Sequence, residues 1–434
     1  MPSFYEFFAG AGMAREGLGK RWNCLFANEF DVKKAAIYKK NWPTPDVLDM
    51  GDVGKLEGFD LPGHADLAWA SFPCQDLSLA GTGAGLNGDR SGTFWPFWLL
   101  MQALIEEGRA PKIIVLENVC GTLTSHEGRD FTAICSTYAT AGYRFGALIV
   151  DAVEFVPHSR PRLFIVGLRD DMSLPEGLAV AGPARLSPWH PRGLLNAFDN
   201  LSPKVKEKWI WWNLPTPAKR GIVFTDFIED NPIGVEWHMA SETARLLRMM
   251  SQINRQKLDE AKASGRRMVG TVYKRTRIDE VGRKAQRAEI RFDEIAGCLR
   301  TPAGGSSRQV IVVVDGDRVR SRLISPRETA RLMGLSDDYE LPTNYNEAYH
   351  LTGDGVVVPV VRHLAAHIFE PLRPTQWPGR RHERCSLAER GTARRDSRGI
   401  LCEWRFWCVR MCKAWRWNRA ASRTGREQCP EGAF

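Results

Sequence analysis

Short apolar runs alternate with helix-like segments over the first 180 residues of the chain. Six of the runs have the length and composition of buried strands, namely SFYEFFA, NCLFANE, ADLAWAS, KIIVLEN, FGALIVDA and RLFIVGL. Segments such as DVKKAAIYKKN and TFWPFWLLMQALIEEG lie between them and have the character of helices. Because strand–helix alternation is typical of a parallel sheet covered on both faces, the pattern predicts a Rossmann-like, doubly wound, mostly parallel α/β fold.

The alternation stops near residue 182, where tryptophan, proline and arginine become frequent. We therefore expect a first domain over residues 1–181 and a smaller, irregular domain over residues 182–321. Residues 322–372 have the pattern of a compact helical segment. A break rich in proline and arginine follows, and we expect residues 373–434 to form a disordered basic tail.

The net charge of +9 is unevenly distributed along the chain. The tail holds 15 Lys+Arg and 6 Asp+Glu, whereas the first 372 residues hold 45 of each sign. The basic composition therefore does not by itself indicate nucleic acid as a partner, and local charge has to decide. One such place is residues 266–287, with eight Lys+Arg, for which a solvated basic surface is the alternative to a DNA contact.

The ten cysteines lack the spacing of a disulfide framework. The N-terminus has no secretion signal, and no apolar run approaches the roughly 20 residues that a membrane span needs. These features predict a reduced, cytoplasmic protein without a membrane segment. Cys402, Cys408 and Cys412 lack the usual spacing of zinc ligands, so we expect no metal.

A glycine turn and three acidic or aromatic positions indicate a nucleotide-type cofactor. Gly10 and Gly12 stand between a strand and a helix, where glycine lets the backbone approach a ligand closely. The third glycine of a dinucleotide fingerprint is absent, so the signal for NAD is weak. Glu29 ends the next strand and can accept from ribose hydroxyls, Phe30 can stack on a purine, and Asp52 can accept from an exocyclic amine. Together they favour an adenosine-containing cofactor without a pyrophosphate over a plain strand–helix turn.

Four further residues fall at the same edge of the predicted sheet. Cys74 follows Pro73 at the carboxyl end of a strand, where ligands bind in open parallel sheets. A thiol of low pKa at that place can act as a nucleophile, although an inert buried cysteine fits the sequence as well. Glu117 ends another strand, and a solvated or ion-paired acid is its alternative role. Arg160 and Arg162 alternate at a strand start and so share a face; surface ion pairing is their alternative role.

These motifs, in this order, resemble those of the cytosine-5 DNA methyltransferase family of bacteria and phages. FAGAG resembles its cofactor motif, SFPCQ its nucleophile motif, ENV its acidic motif, SRPR its paired-arginine motif and GDGVVVPVV its closing motif. LRTPAGGSSRQ resembles the end of its recognition domain. The resemblance covers about residues 3–372 and is specific because five motifs appear in sequence with a variable insert before the last.

The resemblance implies methyl transfer from S-adenosylmethionine to carbon 5 of cytosine in a short duplex DNA sequence. It implies that Cys74 attacks ring carbon 6 of a flipped base, that Glu117 holds ring nitrogen 3 and the exocyclic amine, and that Arg162 binds the ring carbonyl oxygen. Arg160 would support that site. The glycine-rich stretch of about residues 75–94 resembles the loop that closes over the base.

The resemblance also implies two sets of ligand contacts. The expected cofactor contacts are Phe8, Gly10, Gly12, Glu29, Phe30, Asp52, Val53, Pro73, Phe94 and Asp354. The expected DNA contacts are Gln75 and Ser78 in the loop and Arg275, Arg277 and Arg308 in or near the recognition insert. Phosphate contacts would position the duplex, and base-edge contacts would give specificity.

Three positions depart from the family pattern. Ser71 stands where glycine usually opens the nucleophile motif, and we expect tolerance. His158 stands in place of a glutamine and can still donate a hydrogen bond. Asp354 stands in place of an asparagine, and the lost amide donor puts full cofactor affinity in question.

Three alternative functions share some of these features. An RNA cytosine methyltransferase would carry the same motifs, although the large basic insert favours duplex DNA. A catalytically silent DNA-binding protein is disfavoured by the intact candidate catalytic residues, although Asp354 leaves this alternative open. An unrelated nucleotide-binding thiol enzyme would show no dependence on DNA. For the favoured function we expect a monomer, with a cognate restriction endonuclease as an optional partner that forms no stable complex.

Overall fold

The computed structural model describes residues 1–73, 85–88, 91–182, 187–278, 282–300 and 308–372. The strands in these ranges are β1 (Ser3–Phe7), β2 (Asn23–Asn28), β3 (Leu48–Asp49), β4 (Leu67–Ala70), β5 (Ile113–Val119), β6 (Tyr143–Asp151), β7 (Pro161–Arg169), β8 (Ala179–Val180), β9 (Trp211–Trp212), β10 (Met268–Ile278), β11 (Lys284–Arg291), β12 (Val310–Asp315) and β13 (Arg318–Leu323). The helices are α1 (Met13–Leu18), α2 (Val32–Asn41), α3 (Phe94–Glu106), α4 (Arg129–Thr140), α5 (Arg192–Asp199), α6 (Pro203–Lys206), α7 (Ala240–Arg248), α8 (Gln252–Ala263), α9 (Pro326–Leu332), α10 (Tyr345–Asp354) and α11 (Val358–Leu364).

Seven strands form one large sheet in the order β3-β2-β1-β4-β5-β7-β6. The pairs from β3 to β5 are parallel, and β7 runs antiparallel to both β5 and β6. The predicted α/β fold with a mostly parallel sheet is confirmed, and the six predicted strands are β1, β2, β4, β5, β6 and β7. The strand order reverses between β1 and β4, so a ligand crevice is expected where these two strands end.

The direction of β7 explains how its arginines reach this edge of the sheet. Because β7 is antiparallel, it begins where the parallel strands end. In the register of the pair, Arg162 lies opposite Val119, and Phe164 lies opposite Glu117. The start of β7 is thereby brought beside the end of β5.

Two apolar layers cover the sheet, as alternating side chains of a buried strand require. On β1, Phe4 belongs to one layer, whereas Tyr5 and Phe7 belong to the other. Helix α11 packs against α1 in the first layer, so the segment after residue 322 contributes to the core beneath the glycine turn.

Residues 187–214 attach to the β6 edge of the large sheet. The N–H of Ile210 donates to the carbonyl of Phe145 at 2.6 Å, and the N–H of Phe145 donates to the carbonyl of Lys208 at 2.9 Å. Trp209 packs edge-on against the ring of Phe145 at 5.5 Å. The predicted domain boundary at residue 182 precedes this attached segment.

A second, antiparallel sheet has the order β11-β10-β12-β13. Its own apolar cluster includes Val272, Ile290 and Val312, with Leu258 of α8 packed on it. The predicted boundary at residue 321 falls inside β13. None of the helices in the described part of the chain has the length and apolarity that crossing a membrane requires.

Candidate active site

The glycine turn after β1 is held by a buried carboxylate at the end of β2. Gly10 and Gly12 have φ of 58° and 86°, which glycine adopts without strain. Glu29 accepts from the N–H of Gly10 at 2.6 Å through one oxygen and from the N–H of Asp31 at 2.8 Å through the other. Phe8 has φ of 56°, a conformation that costs about 1–3 kcal/mol in a non-glycine residue and often marks a functional site.

The space around this turn fits an adenosine-type cofactor. A Cβ built on Gly10 would meet no heavy atom within 4 Å, so its outer side is open to a ligand. Phe30 is 74% exposed and can offer its ring face to a purine. Asp52 is exposed and accepts from the N–H of Gly54 at 2.9 Å, which fixes the turn after it, and Val53 is buried beneath.

Two expected cofactor contacts, Phe94 and Pro73, are less exposed than Phe30 and Asp52. Phe94 is fully buried, with its ring 5.5 Å from that of Phe72 and 6.0 Å from that of Trp98. Its side chain is therefore part of the apolar core and not of an open surface. Pro73 is half-buried, and its carbonyl accepts from the hydroxyl of Ser91 at 2.8 Å.

A buried acid beneath the glycine turn was not predicted. Glu6 is 1% exposed and accepts from the N–H of Arg15 and the hydroxyl of Tyr38, both at 3.2 Å. Burial raises its pKa to about 7, against a partly opposing effect of Arg15. The nearby guanidinium of Arg15 also donates to Tyr38 at 3.1 Å. The sequence SFYEFFA shows one acidic residue in an apolar strand. It does not show that the side chain of this residue is buried.

We expect Glu6 to make stability depend on pH near neutrality. Its folded pKa lies above the unfolded value of 4.5, so its contribution is fully present below about pH 4.5 and is lost as pH rises towards 7. A shift of this size corresponds to about 3 kcal/mol. Urea unfolding between pH 5 and 8 should show the decline in wild type and a flatter profile in Glu6→Gln. The exposed Glu106→Gln variant is the control, and an unchanged profile in Glu6→Gln contradicts the assignment.

Glu117 and Arg162 form an ion pair at the edge where β5 ends and β7 begins. The Arg162 Nε and Glu117 Oε1 atoms are 3.2 Å apart, and both side chains are largely buried. They lie diagonally across the antiparallel pair, a position from which long side chains meet. A carboxylate and a guanidinium held side by side present acceptor oxygens and several N–H donors together, which suits a heterocycle with both kinds of group.

Arg160 also lies at this edge of the sheet, but it is buried and both of its terminal nitrogens are bound by protein. It is 2% exposed. Its Nη1 donates to the carbonyl of Leu299 at 3.2 Å and contacts the sulfur of Cys298 at 3.5 Å. Its Nη2 donates to the carbonyls of Gly353 and Gly355 at 2.7 and 2.8 Å. Arg160 therefore joins the segment between β11 and β12 to the end of α10, and both terminal nitrogens have protein acceptors.

Residues around the predicted nucleophile motif are firmly anchored. The amide of Asn118 donates to the carbonyl of Phe72 at 3.1 Å, and Ser91 holds Pro73 as described above. The hydroxyl of Ser71 accepts from the indole N–H of Trp69 at 2.9 Å. The serine that stands in place of the usual glycine therefore makes a hydrogen bond that glycine could not make. Cys74, Gln75 and Ser78 lie outside the described residues.

His158 replaces the expected glutamine with two hydrogen bonds of its own. It is fully buried, and its Nε2 accepts from the N–H of Leu299 at 3.2 Å. Nδ1 must then carry the proton, which it donates to the carbonyl of Leu332 at 3.2 Å. Burial, and then the charge of Arg160, lower the pKa of His158 well below its usual range. A neutral imidazole thus joins the segment before β7 to α9 and to the segment after β11.

The predicted DNA contacts divide into two places. Arg275 and Arg277 lie on the exposed outer half of the β10–β11 hairpin, and both pair with Glu289, at 3.3 and 2.5 Å. Arg308 instead donates to the side chain of Asn346 and lies 5.5 Å from the ring centre of Tyr345. Arg308 therefore contacts α10, whereas Arg275 and Arg277 pair with a residue of the hairpin.

Asp354 has a cationic partner that the sequence did not suggest. Its carboxylate lies 2.8 Å from the ammonium of Lys34 in the first turn of α2. Lys34 here and Ser91 beside Pro73 are residues that the sequence analysis missed. Within the described residues, no group of three or more His, Cys, Asp or Glu is placed to hold a metal ion.

The described residues place a glycine turn held by Glu29, and a largely buried Glu117–Arg162 pair, at the ligand edge of a Rossmann-like sheet. This is the arrangement of a Rossmann-like α/β protein with a separate antiparallel sheet. The family of C-5 cytosine-specific DNA methylases matches residues 3–370, and the chain belongs to this family. Its members use S-adenosylmethionine as methyl donor. The resemblance expected from the motifs is confirmed.

Individual relatives agree with the family match. The chain is 31% identical over 366 residues to the Type II methyltransferase M.NgoBI of Neisseria gonorrhoeae, which covers 82% of this chain and 89% of the relative. It is 25% identical over 427 residues to the Type II methyltransferase M.BanI of Aneurinibacillus aneurinilyticus, covering 85% and 95%. The structure of the methyltransferase EhMeth of Entamoeba histolytica has the same fold, with a TM-score of 0.56 at 14% identity, covering 86% and 99%.

Proposed function

We propose that this chain methylates carbon 5 of cytosine within a short, specific sequence of duplex DNA. The observation that carries the proposal is the Glu117–Arg162 pair at 3.2 Å, beside the anchored end of the strand that leads to Cys74. Relatives named as Type II methyltransferases support a role in restriction and modification, with or without a cognate endonuclease. We expect a monomer acting alone.

The proposed chemistry begins at the thiol of Cys74. Its thiolate adds to ring carbon 6 of a cytosine flipped out of the duplex, at a cost of a few kcal/mol for unstacking. The addition makes carbon 5 nucleophilic. Carbon 5 would then gain the methyl group, with the methyl–sulfur bond of the donor broken and S-adenosylhomocysteine left as the second product. Loss of the proton on carbon 5 to solvent would let the bond between carbon 6 and sulfur break, which releases 5-methylcytosine and the thiolate.

Glu117 and Arg162 would stabilise the ring during this addition. Glu117 holds ring nitrogen 3 and the exocyclic amine, so it must carry a proton or share one at that stage. Arg162 donates to the ring carbonyl oxygen, on which negative charge develops. Arg160 fixes the segment behind both without contacting the base.

The cofactor would lie across the open side of the glycine turn. Gly10 and Gly12 allow close approach, Glu29 accepts from the ribose, and Phe30 stacks on the adenine. Asp52 and Val53 would flank the adenine. Three further residues would complete the site directly, namely Phe8, Pro73 and Asp354. Phe94 would support it from the core. S-adenosylmethionine supplies an electrophilic methyl group when bound.

DNA recognition is proposed for the hairpin of β10 and β11. Its outer half is exposed and basic on both strands, and Arg275 and Arg277 are held on one face by Glu289. We propose that Gln75 and Ser78 contact the opened duplex from the catalytic side. Arg308, which is bound to α10, would influence DNA binding through the position of that helix. We propose to begin the recognition domain after Leu214, beyond the segment that attaches to the large sheet.

The test is to map methylated cytosines in plasmid DNA from cells that express the full chain. Bisulfite sequencing should show protected cytosines in one short motif, and a Cys74→Ser control should show none. Purified enzyme with tritium-labelled methyl donor should label duplex DNA and leave transfer RNA unlabelled. If transfer RNA alone were labelled, the RNA methyltransferase alternative would replace the proposal. If a folded chain that binds the cofactor labelled neither duplex DNA nor transfer RNA, the proposal would be overturned.

A further inference from the structure

We propose that Lys34 is a positioning residue for methyl transfer. Lys34 forms an ion pair with Asp354. This pair connects the loop of Glu29 and Asp31, which holds the glycine turn, to the turn of Gly353 and Gly355, which binds Arg160. The inference rests on the proposed function for its meaning in catalysis, but its effect on cofactor binding can be measured without DNA. Lys34 belongs to none of the sequence motifs described above.

The first part of the argument concerns the turn that ends α10. The carbonyls of Gly353 and Gly355 both accept from Nη2 of Arg160, at 2.7 and 2.8 Å. A Cβ built on Gly355 would lie 2.3 Å from the sulfur of Met13 in α1. The turn is therefore wedged between α1 and Arg160, and a shift of its backbone would move the arginine.

The second part concerns the side chain of Asp354 in the middle of this turn. Its carboxylate lies 2.8 Å from the ammonium of Lys34, whose side chain is 24% exposed, against 40% for Asp354. Burial lowers the pKa of Lys34, but the neighbouring Asp354, Glu29 and Asp31 outweigh it and raise the pKa. Lys34 thus remains charged and is drawn to three carboxylates at once.

The third part links Lys34 to the glycine turn. The carboxylate of Asp31 accepts from the backbone N–H of Lys34 at 3.1 Å and so caps α2. The N–H of Asp31 donates to Glu29, whose other oxygen accepts from the N–H of Gly10. An unbroken series of polar contacts therefore runs from Gly10 through Lys34 to the turn that holds Arg160.

This arrangement gives a reason for the acid at position 354. An asparagine at this position could accept a hydrogen bond from Lys34 but could not balance its charge. A half-exposed ion pair contributes little to global stability, so its value lies in fixing the relative position of two loops. Because one loop is expected to hold the cofactor and the other supports Arg160, both binding and turnover should depend on it.

The test reverses the charges of the pair one at a time and together. We expect Lys34→Asp and Asp354→Lys each to weaken S-adenosylmethionine binding about tenfold in calorimetric titration of the full chain and to lower kcat about tenfold at saturating cofactor. The double variant, with the charges exchanged, should bind cofactor and turn over better than either single variant. Recovery should be partial, because an acid at position 34 would still lie near Glu29 and Asp31. Lys34→Met, which removes the charge without adding a repulsive one, should weaken binding in the same direction if Lys34→Asp does not fold.

A second ion pair between the same two helices provides a matched control. Lys33 and Glu347 also join α2 to α10, at 2.7 Å, but at a distance in sequence from the turn that binds Arg160. Lys33→Glu and Glu347→Lys should each change cofactor binding and kcat less than twofold. Equal effects from both pairs, or wild-type binding and kcat in a folded Lys34→Met, would overturn the proposal. Wild type that binds cofactor but methylates no DNA would overturn the proposed function alone, because the binding comparison would still stand.

Discussion

Replacing Glu117 by glutamine is expected to lower kcat for methyl transfer by about 10²- to 10⁴-fold, the range that one positioned acid–base group contributes. Glutamine keeps the size of the side chain and one acceptor oxygen. It loses the charge that balances Arg162 at 3.2 Å and can no longer take up or share a proton at the cytosine ring. Initial rates with labelled methyl donor and a saturating duplex that carries the mapped motif measure the effect.

The comparison variant for Glu117 is Glu107→Gln. Glu107 also pairs with an arginine, Arg109, but at the exposed end of α3, so its replacement should leave kcat within about twofold. Cofactor binding by Glu117→Gln, measured without DNA, should equal that of wild type, which separates a catalytic loss from a folding defect. A Glu117→Gln enzyme with more than a tenth of wild-type kcat would show that this carboxylate does not hold the reacting ring.

Much of the large sheet could be predicted because its strands are buried on both faces. Continuous apolar runs such as KIIVLEN are the expected pattern for such strands, and their ends mark the ligand edge. The two-residue strands β3, β8 and β9 have no pattern of their own, since their pairing is decided by neighbours far away in sequence. The antiparallel direction of β7 was not predictable from its composition either, although it places Arg162 beside Glu117.

The departures from the family pattern show a second limit of the sequence. Ser71, His158 and Asp354 each differ from the usual residue, and in each case a polar partner is present. For Asp354 that partner, Lys34, is 320 positions away in sequence. Motifs identify positions at which a group is needed, but they do not contain the long-range contact that adapts a different residue to the same place.

The exposed charges of the recognition region were harder to interpret than the buried ones. Arg275, Arg277 and Arg308 look equivalent in the sequence as basic residues of one insert. In the structure the first two lie on the exposed hairpin and share Glu289, whereas Arg308 is held by Asn346 on α10. Tertiary contacts, which neither composition nor spacing encodes, separate the two environments.

The second large effect is expected on stability, from Glu328→Gln. Glu328 and Arg322 form a fully buried ion pair, with Nη2 to Oε1 at 2.6 Å and Nη1 to Oε2 at 2.8 Å. The same carboxylate accepts from the N–H groups of Ser325 and Glu229, at 2.7 and 2.8 Å. An amide would turn a donor towards two of these four donors and leave the guanidinium uncompensated. Removing one partner of a buried pair costs about 3–5 kcal/mol, which urea unfolding should reveal.

Two comparisons identify burial as the cause of that loss. Asp337→Asn breaks the exposed pair with Arg331 and should lower the free energy of unfolding by less than about 1 kcal/mol. Combining Arg322→Met with Glu328→Leu removes both charges, so it should recover part of the loss seen in Glu328→Gln. The recovery should be incomplete, because the N–H groups of Ser325 and Glu229 would still lack an acceptor. If Glu328→Gln were as stable as Asp337→Asn, water or a backbone shift would have to satisfy the guanidinium, and the junction between β13 and α9 would be less rigid than its contacts indicate.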